Sequence, residues 1–407
     1  MQIINNKINK QLTHKSIMKK IFALTAIAAL VLSACAKIEK VNTPSEDDAI
    51  VFSAYAGRND NVTTKAAPIG TVADLATAGG FGVFAYYTQS TAYASANVEA
   101  NFMWNQNVTS SDNGVNWTYS PIKYWPNNDS NTTNGSATWT DYVSFFAYAP
   151  FTAVASANKA TGTTGNSVGI TKVTGNATTK NTENPTITYV VATNPANSVD
   201  FLYNDTDNKD LQKPSVSSKI SFNFKHALTR LGFTVEGVFD ETSAGDNEVE
   251  SGTKIFVTSL SVTKTPGVST GGTFDLATKT WTPSGSYAPL AVSAANIPNA
   301  LKTGGTGVTT TPVSLLNTNE YFMLLPDSAA ATYSINIVYD VVTTDEWLKE
   351  GTSTVTNNIT KTASIKLEQG KAYTIALQLG MTSVKMTASV TDWVDGAADP
   401  IWLPINQ

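Results

Sequence analysis

The single cysteine of the 407-residue chain, Cys35, is the residue whose type and position specify a chemical reaction most clearly. It follows Leu-Ser-Ala at 32–34, and the apolar run over 21–32 comes after Lys19 and Lys20. A basic segment, a short apolar run and small residues are typical of a secretory signal peptide, and this run is too short to cross a bilayer. A cysteine at this place resembles a bacterial lipobox, in which the cysteine is lipidated, with palmitate among the acyl groups, and becomes the mature N-terminus. The alternative is an ordinary signal peptide with a chance cysteine.

The signal peptide is expected to span residues 1–34. We expect translation to start at Met18, because Met-Lys-Lys is a natural opening of a signal peptide. Residues 35–48 show no apolar periodicity. They are therefore predicted to form a polar, lipidated tether, and everything before Cys35 is left out of the fold prediction.

Histidine is nearly absent from the chain. His14 lies in the predicted signal peptide, which leaves His226 as the base for any Ser-His-Asp or Cys-His arrangement. Because His226 lies in an apolar setting, a packed structural histidine is the favoured interpretation. A zinc site needs several cysteines or histidines, which the mature chain does not have. We therefore predict no catalytic residue, no metal site and no cofactor, and a protein that is not an enzyme.

The acidic stretch at 205–210 is the place that most suggests calcium. It does not have EF-hand spacing, because Lys209 stands at a ligand position and Val216 replaces the terminal glutamate. An irregular calcium site and a solvated turn both remain open. A carboxylate pair for glycoside hydrolysis also remains open, because such pairs form in space rather than in sequence.

The elements that must position all these residues are predicted to be β-strands. Short apolar segments recur about every ten to fifteen residues between polar turns, without a helical period, which favours two antiparallel β-sandwiches. A charged, proline-containing link near 209–214 predicts domains over 49–212 and 213–407. A long surface loop or hairpin is expected over 153–184, and one of the later strands over 363–367.

The charge of the chain excludes one class of partner. The net charge is -5, only 14% of the residues are charged, and no basic patch is present. Nucleic-acid-binding surfaces need clustered lysine and arginine. We therefore predict no nucleic-acid partner. A second cysteine is also missing, so the mature chain has no internal disulfide and must be stabilised by packing.

Short motifs follow one another in a fixed order along the mature chain. They are Val51-Phe52-Ser53-Ala54, Thr64-Lys65-Ala66, Phe81-Gly82-Val83-Phe84-Ala85-Tyr86, Tyr124-Trp125-Pro126, Phe145-Phe146-Ala147-Tyr148-Ala149-Pro150, Asp200-Phe201-Leu202-Tyr203, Phe224-Lys225-His226-Ala227-Leu228, Leu324-Leu325-Pro326 and Val390-Thr391-Asp392-Trp393. This ordered set resembles the fimbrillin-like lipoproteins of Bacteroides and Porphyromonas relatives. The resemblance covers nearly all of the mature chain.

The resemblance implies an all-β fold of two tandem transthyretin-like Greek-key β-sandwich domains after a lipoprotein signal peptide. It implies a structural, pilin-like subunit that is first lipid-anchored at the cell outer membrane and then built into a cell-surface fimbrium that supports adhesion. The implied partners are other copies or other fimbrial subunits in a head-to-tail polymer, and an extracellular trypsin-like or Arg/Lys-specific protease. No cofactor is implied.

The resemblance also implies where the chain is cut. The family is cleaved after a basic residue in a Thr-Arg-Ala-like context, and Thr64-Lys65-Ala66 matches it with lysine in place of arginine. This difference puts an arginine-only protease in doubt. Arg58 is the second candidate. The alternative for both Lys65 and Arg58 is a solvated loop cation.

A physical reason for cleavage follows if residues 50–56 form the first strand of a sandwich. Loss of that strand would remove ladder hydrogen bonds from two neighbouring strands and open an apolar groove, which a strand of another subunit can fill. The candidate donor is the C-terminal segment, where apolar residues alternate in two runs, at Met386, Ala388 and Val390 and at Ile401, Leu403 and Ile405. The alternative is that these runs complete the second sandwich.

Other functions remain as alternatives. A fimbrial tip or anchor subunit is a close variant of the same hypothesis. A surface glycan-binding lipoprotein would need exposed aromatic platforms and would stay monomeric after trypsin treatment. A lipid-anchored hydrolase is disfavoured, because the mature chain has a single histidine and no nucleophile motif.

Overall fold

The computed structural model describes most of the chain after the predicted tether. The described residues are 48–56, 68–96, 98–126, 141–175, 184–214, 218–238, 252–344, 347–393 and 401–403. The predicted lipidation residue Cys35 and the predicted cleavage residues Arg58 and Lys65 lie outside these ranges. The predictions for them therefore stay predictions.

Strands dominate the described chain. They are β1 (Val51–Ala56), β2 (Phe81–Gln89), β3 (Met103–Val108), β4 (Tyr142–Ala149), β5 (Gly169–Thr174), β6 (Thr186–Val190), β7 (Leu202–Asn204), β8 (Lys219–His226), β9 (Thr229–Gly237), β10 (Thr253–Lys264), β11 (Val268–Asp275), β12 (Thr280–Ala288), β13 (Leu290–Val292), β14 (Val313–Ser314), β15 (Phe322–Leu324), β16 (Ala331–Thr344), β17 (Thr352–Ile365), β18 (Lys371–Leu379), β19 (Val384–Asp392) and β20 (Ile401–Leu403). The short helix α1 spans Val72–Thr77, and single 3₁₀ turns lie at Tyr93–Ser95, Ser156–Asn158, Pro195–Asn197 and Asn299–Leu301. No helix among the described residues is long and apolar enough to cross a membrane.

The strands form four sheets, named A to D here. Sheet A has the order β1-β8-β7-β4-β2-β3, and sheet B the order β13-β10-β16-β17. Sheet C has the order β12-β11-β6-β5, and sheet D the order β14-β9-β18-β19-β20 with β15 beside β9. All of these strands belong to one compact unit, Ala49–Gln407.

Side-chain alternation explains why sheet A is buried on both faces. In β2, Phe81 and Val83 point into one apolar core, whereas Phe84 and Tyr86 point into a second, larger core that sheets B, C and D share. Successive strand residues face opposite sides of a sheet, so a strand covered on both sides is apolar at nearly every position. The prediction of an all-β chain built from packed sheets is confirmed.

Two of the sheets draw strands from both sides of the predicted boundary between residues 212 and 213. In sheet A, β8 pairs with both β1 and β7. In sheet C, β11 pairs with β6. The division into two Greek-key domains at that boundary stays a prediction.

Candidate functional site

The candidate site is β1 together with the groove in which it lies. The strand is the last one of sheet A and runs parallel to β8, with all six residues paired, from Val51 beside Lys219 to Ala56 beside Phe224. The sequence predicted two neighbouring strands for this segment. This expectation is wrong, because β1 is an edge strand and β8 is its one strand neighbour in the described sheet.

The buried face of β1 is centred on Phe52, of which 1% is exposed. Its ring centroid lies 5.2 Å from that of Tyr119, 5.3 Å from that of Phe222 and 6.0 Å from that of Phe145. Burying an aromatic side chain of this size stabilises a fold by about 1.5–3 kcal/mol. Phe52 therefore supplies a large part of the free energy that holds the strand in place.

The start of β1 is held by a second set of contacts, on the side away from β8. The amide of Ile50 donates to the carbonyl oxygen of Lys123 at 2.8 Å, and the hydroxyl of Tyr119 donates to the carbonyl oxygen of Ile50 at 2.8 Å. Burial raises the pKa of Tyr119 to about 12, so this hydroxyl keeps its proton well above neutral pH. The strand is thus fixed by a ladder along its length and by a clamp at its start.

The opposite face of β1 points outward, with 55% of Tyr55 exposed. The sequence predicts that Ile50, Phe52 and Ala54 share one face. Ile50 and Phe52 are buried, Ala54 is half-buried against the same core, and Ala56 is buried as well. A strand that replaces β1 must therefore carry apolar side chains on the buried face, whereas the side chains on the exposed face can vary. The groove therefore selects for apolar residues at every second position.

Arg58 and Lys65 follow β1 in the sequence and precede Ile69, the next buried apolar residue that the structure describes. The amide of Ile69 donates to Asp200 at 2.8 Å, which fixes the chain on the far side of the predicted cleavage segment. A cut after either basic residue would leave β1 without a covalent link to its groove.

The predicted structural histidine lies at the end of β8. Its Nδ1 is 3.0 Å from a carboxylate oxygen of Asp200, and its ring stacks on Trp393 with centroids 4.0 Å apart. Both His226 and Asp200 are buried. The carboxylate and the indole enclose the imidazole, which supports the interpretation of His226 as a packed structural residue. Sequence reasoning did not find this cluster, although Asp200, His226 and Trp393 each belong to one of the motifs quoted above.

The acidic stretch at 205–210 does not have the geometry of a calcium site. Asp205 is paired with Lys225 at 2.5 Å and with Lys279 at 3.1 Å. Burial alone would raise the pKa of Asp205, but hydrogen bonds from the two lysines outweigh it and lower the pKa. A neighbouring cavity of about 180 Å³ is lined in part by Lys209 and Lys279, whose charges oppose a cation. Within the described residues, no group of three or more metal-binding side chains is present.

The C-terminal strands differ in how firmly they are paired. β19 pairs with β18 over nine residues, and its Met386 and Ala388 are buried. β20 forms only three pairs with β19, from Ala388 beside Leu403 to Val390 beside Ile401. The first apolar run of the predicted donor is thus an inner strand of sheet D, and the second run begins at the edge of that sheet. Ile405 lies outside the described residues.

Comparisons with known proteins agree on one kind of relative. A family model for fimbrillin-like proteins matches residues 64–393. The fimbrium subunit Fim1C of Phocaeicola vulgatus is 24% identical over 410 residues, which cover 93% of this chain and 97% of the relative. The crystal structure of a fimbrial protein from Bacteroides vulgatus superposes with a TM-score of 0.61 at 22% identity, covering 85% of this chain and 99% of that one. This last likeness shows that the two chains share a fold.

Proposed function

The chain belongs to the fimbrillin-like family, and we propose that it is a structural subunit of a cell-surface fimbrium that polymerises when β1 is cut away and replaced by the tail of a neighbouring subunit. The observation that carries this proposal is the combination found at β1. One edge strand fills an apolar groove, and the next basic residues in the chain, Arg58 and Lys65, lie in the predicted cleavage segment.

The energetics favour replacement over an empty groove. Removal of β1 exposes the apolar surface that Phe52 covers and leaves one side of the β8 ladder without partners. Unpaired backbone groups cost roughly 1–3 kcal/mol each where water cannot reach them. A strand from a second subunit restores both the ladder and the apolar contact. Because donor and acceptor are different surfaces, the assembly grows head to tail as an open filament.

The tail after Trp393 is the donor that the geometry favours. It begins where β19 ends, and its described part, β20, shares only three residue pairs with the rest of sheet D. Leaving the sheet therefore breaks few hydrogen bonds. The tail has apolar residues at every second position, namely Ile401, Leu403 and Ile405. The segment that fills the groove has the same spacing, at Ile50, Phe52 and Ala54. The apolar face of the tail is therefore suited to the same groove.

Export precedes this step in the proposal. Lipidation of Cys35 anchors the subunit at the cell outer membrane, with β1 in its groove as a temporary plug. An extracellular protease then cuts after lysine or arginine. The cut separates the subunit from its anchor, and it also lets β1 leave the groove. One cleavage thus couples release to assembly, and the assembled fimbrium supports adhesion.

The test is polymerisation after trypsin treatment of the chain from residue 36 onward, followed on a non-boiled gel. We expect a ladder of multimers from the unchanged chain and none from a variant with Arg58→Ala and Lys65→Ala. A matched control with Lys254→Ala and Lys349→Ala removes two exposed lysines elsewhere and should give the ladder. Ladders from the first variant would remove the proteolytic trigger. A cleaved chain that stays monomeric would contradict polymerisation and favour the glycan-binding alternative.

A further inference from the structure

The longest edge strand of the described sheets is β17, which has no assigned role in the proposed polymer. It is the last strand of sheet B and pairs with β16 over 14 residues. Within the described chain, no strand pairs with its other side. Its backbone amides and carbonyls on that side form a ready-made template for another strand.

Apart from β1, whose start is held on its outer side by Lys123 and Tyr119, the other edges of the described sheets carry features that discourage pairing. β12 contains Pro283 and Gly285, and the ladders of β3, β5 and β12 are each interrupted by a bulge. β13, β14 and β20 have three residues or fewer. Short strands, prolines and bulges are the usual means by which soluble proteins protect their edges from other chains.

None of these features occurs in β17. Its ladder with β16 has no register shift, it contains neither proline nor glycine, and Lys361 is its only charged residue. A long, regular strand with low charge is suited to pairing with a further strand. β17 is thus the longest edge of the described sheets that lacks these protecting features, and we expect it to serve as an interface.

The exposed face of β17 has a pattern that is nearly the same in both directions. Every second residue is exposed and polar, namely Thr352, Thr354, Thr356, Asn358, Thr360, Thr362 and Ser364. Read outward from Asn358, each side gives two threonines and then a threonine or serine. A strand with this symmetry is complementary to an antiparallel copy of itself.

We propose that β17 is a docking surface for a second copy of this chain, with the two β17 strands antiparallel across a two-fold axis at Asn358. Paired residues in an antiparallel ladder share a face, so Thr354 lies opposite Thr362 of the other copy. Threonine pairs across strands are favourable. The two copies of Lys361 stand about 20 Å apart, six residues along the ladder, which avoids repulsion between like charges.

This pairing ends at two copies, because it uses up the open edge of each. It leaves the groove of β1 and the tail untouched, since these belong to sheets A and D. The inference does not depend on cleavage. Two filaments, or two uncut subunits, would associate side by side through this edge.

A disulfide between single cysteines tests the register. In a Cys35→Ser background, which removes the one native cysteine, Asn358→Cys places two thiols at the two-fold axis, within the Cα separation that a disulfide spans. We expect a cross-linked dimer from this variant under oxidising conditions. Thr352→Cys is the matched control on the same face, where the two thiols would be about 40 Å apart and should not cross-link.

A second measurement tests whether the edge holds the dimer together. Sedimentation velocity of the uncut chain over a dilution series should show a monomer–dimer equilibrium. Thr354→Lys with Thr362→Lys sets lysine opposite lysine twice and should weaken the dimer at least tenfold, with the circular dichroism unchanged because both sites are exposed. The control, Thr282→Lys with Ser284→Lys on β12, should not weaken it. Three results would overturn the proposal. The two cysteine variants could cross-link equally, or the unchanged chain could be a monomer at every concentration. The third is a dimer that both pairs of lysine substitutions weaken to the same extent.

Discussion

At the scale of single residues, Tyr119 joins β1 to the chain segment beside its start. Its hydroxyl is 2.8 Å from the carbonyl oxygen of Ile50, and its ring lies against that of Phe52. The same side chain therefore holds the strand by a hydrogen bond and by an apolar contact. Because 69 residues separate Tyr119 from Ile50 in the chain, no sequence pattern announces this contact.

Tyr119→Phe keeps the ring and removes the hydroxyl. We expect the free energy of unfolding to fall by about 0.5–1.5 kcal/mol, the usual net value of one hydrogen bond. Urea denaturation of the uncut chain measures this difference. An unchanged free energy of unfolding would show that the clamp at Ile50 does not stabilise the strand.

The pH dependence of the same variant gives a second readout. The pKa of Tyr119 is raised by burial to about 12, above about 10 in an unfolded chain. Its contribution to stability is therefore complete below pH 10 and is lost as the pH rises toward 12. The phenylalanine variant should lose less stability than the unchanged chain over that interval. An equal loss of unfolding free energy in both chains would show that Tyr119 does not cause the loss of stability at alkaline pH.

At the scale of elements, β1 is stabilised chiefly by one of its faces. Phe52→Ala should lower the free energy of unfolding by about 3–5 kcal/mol, because it leaves a cavity between Phe145 and Phe222. Tyr55→Ala, on the exposed face of the same strand, should change it by less than about 0.5 kcal/mol. Denaturation of both variants measures the difference. Similar losses from the two would contradict the asymmetry of the strand.

The sequence predicted strands best where burial imposes alternation. β8 shows this alternation clearly, because Ile220, Phe222 and Phe224 are buried and alternate with polar residues. For β17, only the end near 363–367 was predicted, because most of the strand is exposed and lacks an apolar period. Its ladder with β16 determines its length. β5 lies inside the stretch over 153–184, which was predicted as a long loop or hairpin, and pairs with β6 as a hairpin.

The candidate site was predicted in part. The inward face of β1 follows from the alternation of Ile50 and Phe52, but its parallel pairing with β8 joins segments far apart in the chain. Such pairings depend on tertiary packing, which a local pattern does not contain. The lipidation of Cys35 and the cleavage at Arg58 or Lys65 remain predictions.

At the scale of the whole molecule, the groove of β1 and the C-terminal tail are connected through the residues around His226. β8 lines the groove, and the chain passes from it at His226 directly into β9 of sheet D. His226 stacks on Trp393, the residue that follows β19. In the proposed assembly, the strand that lines the acceptor groove and the strand that precedes the donor tail therefore meet at the contact between His226 and Trp393.

The most direct test of the account is the binding of a labelled peptide with the sequence of residues 394–407. The partner is a chain that lacks its own tail after Trp393 and has been cut with trypsin. We predict one bound peptide per cut chain, competition by an unlabelled peptide of residues 49–56, and no binding to the uncut chain, whose groove β1 still fills. Equal binding to cut and uncut chains, or no binding to the cut chain once β1 has left, would contradict the claim that a neighbour's tail replaces β1.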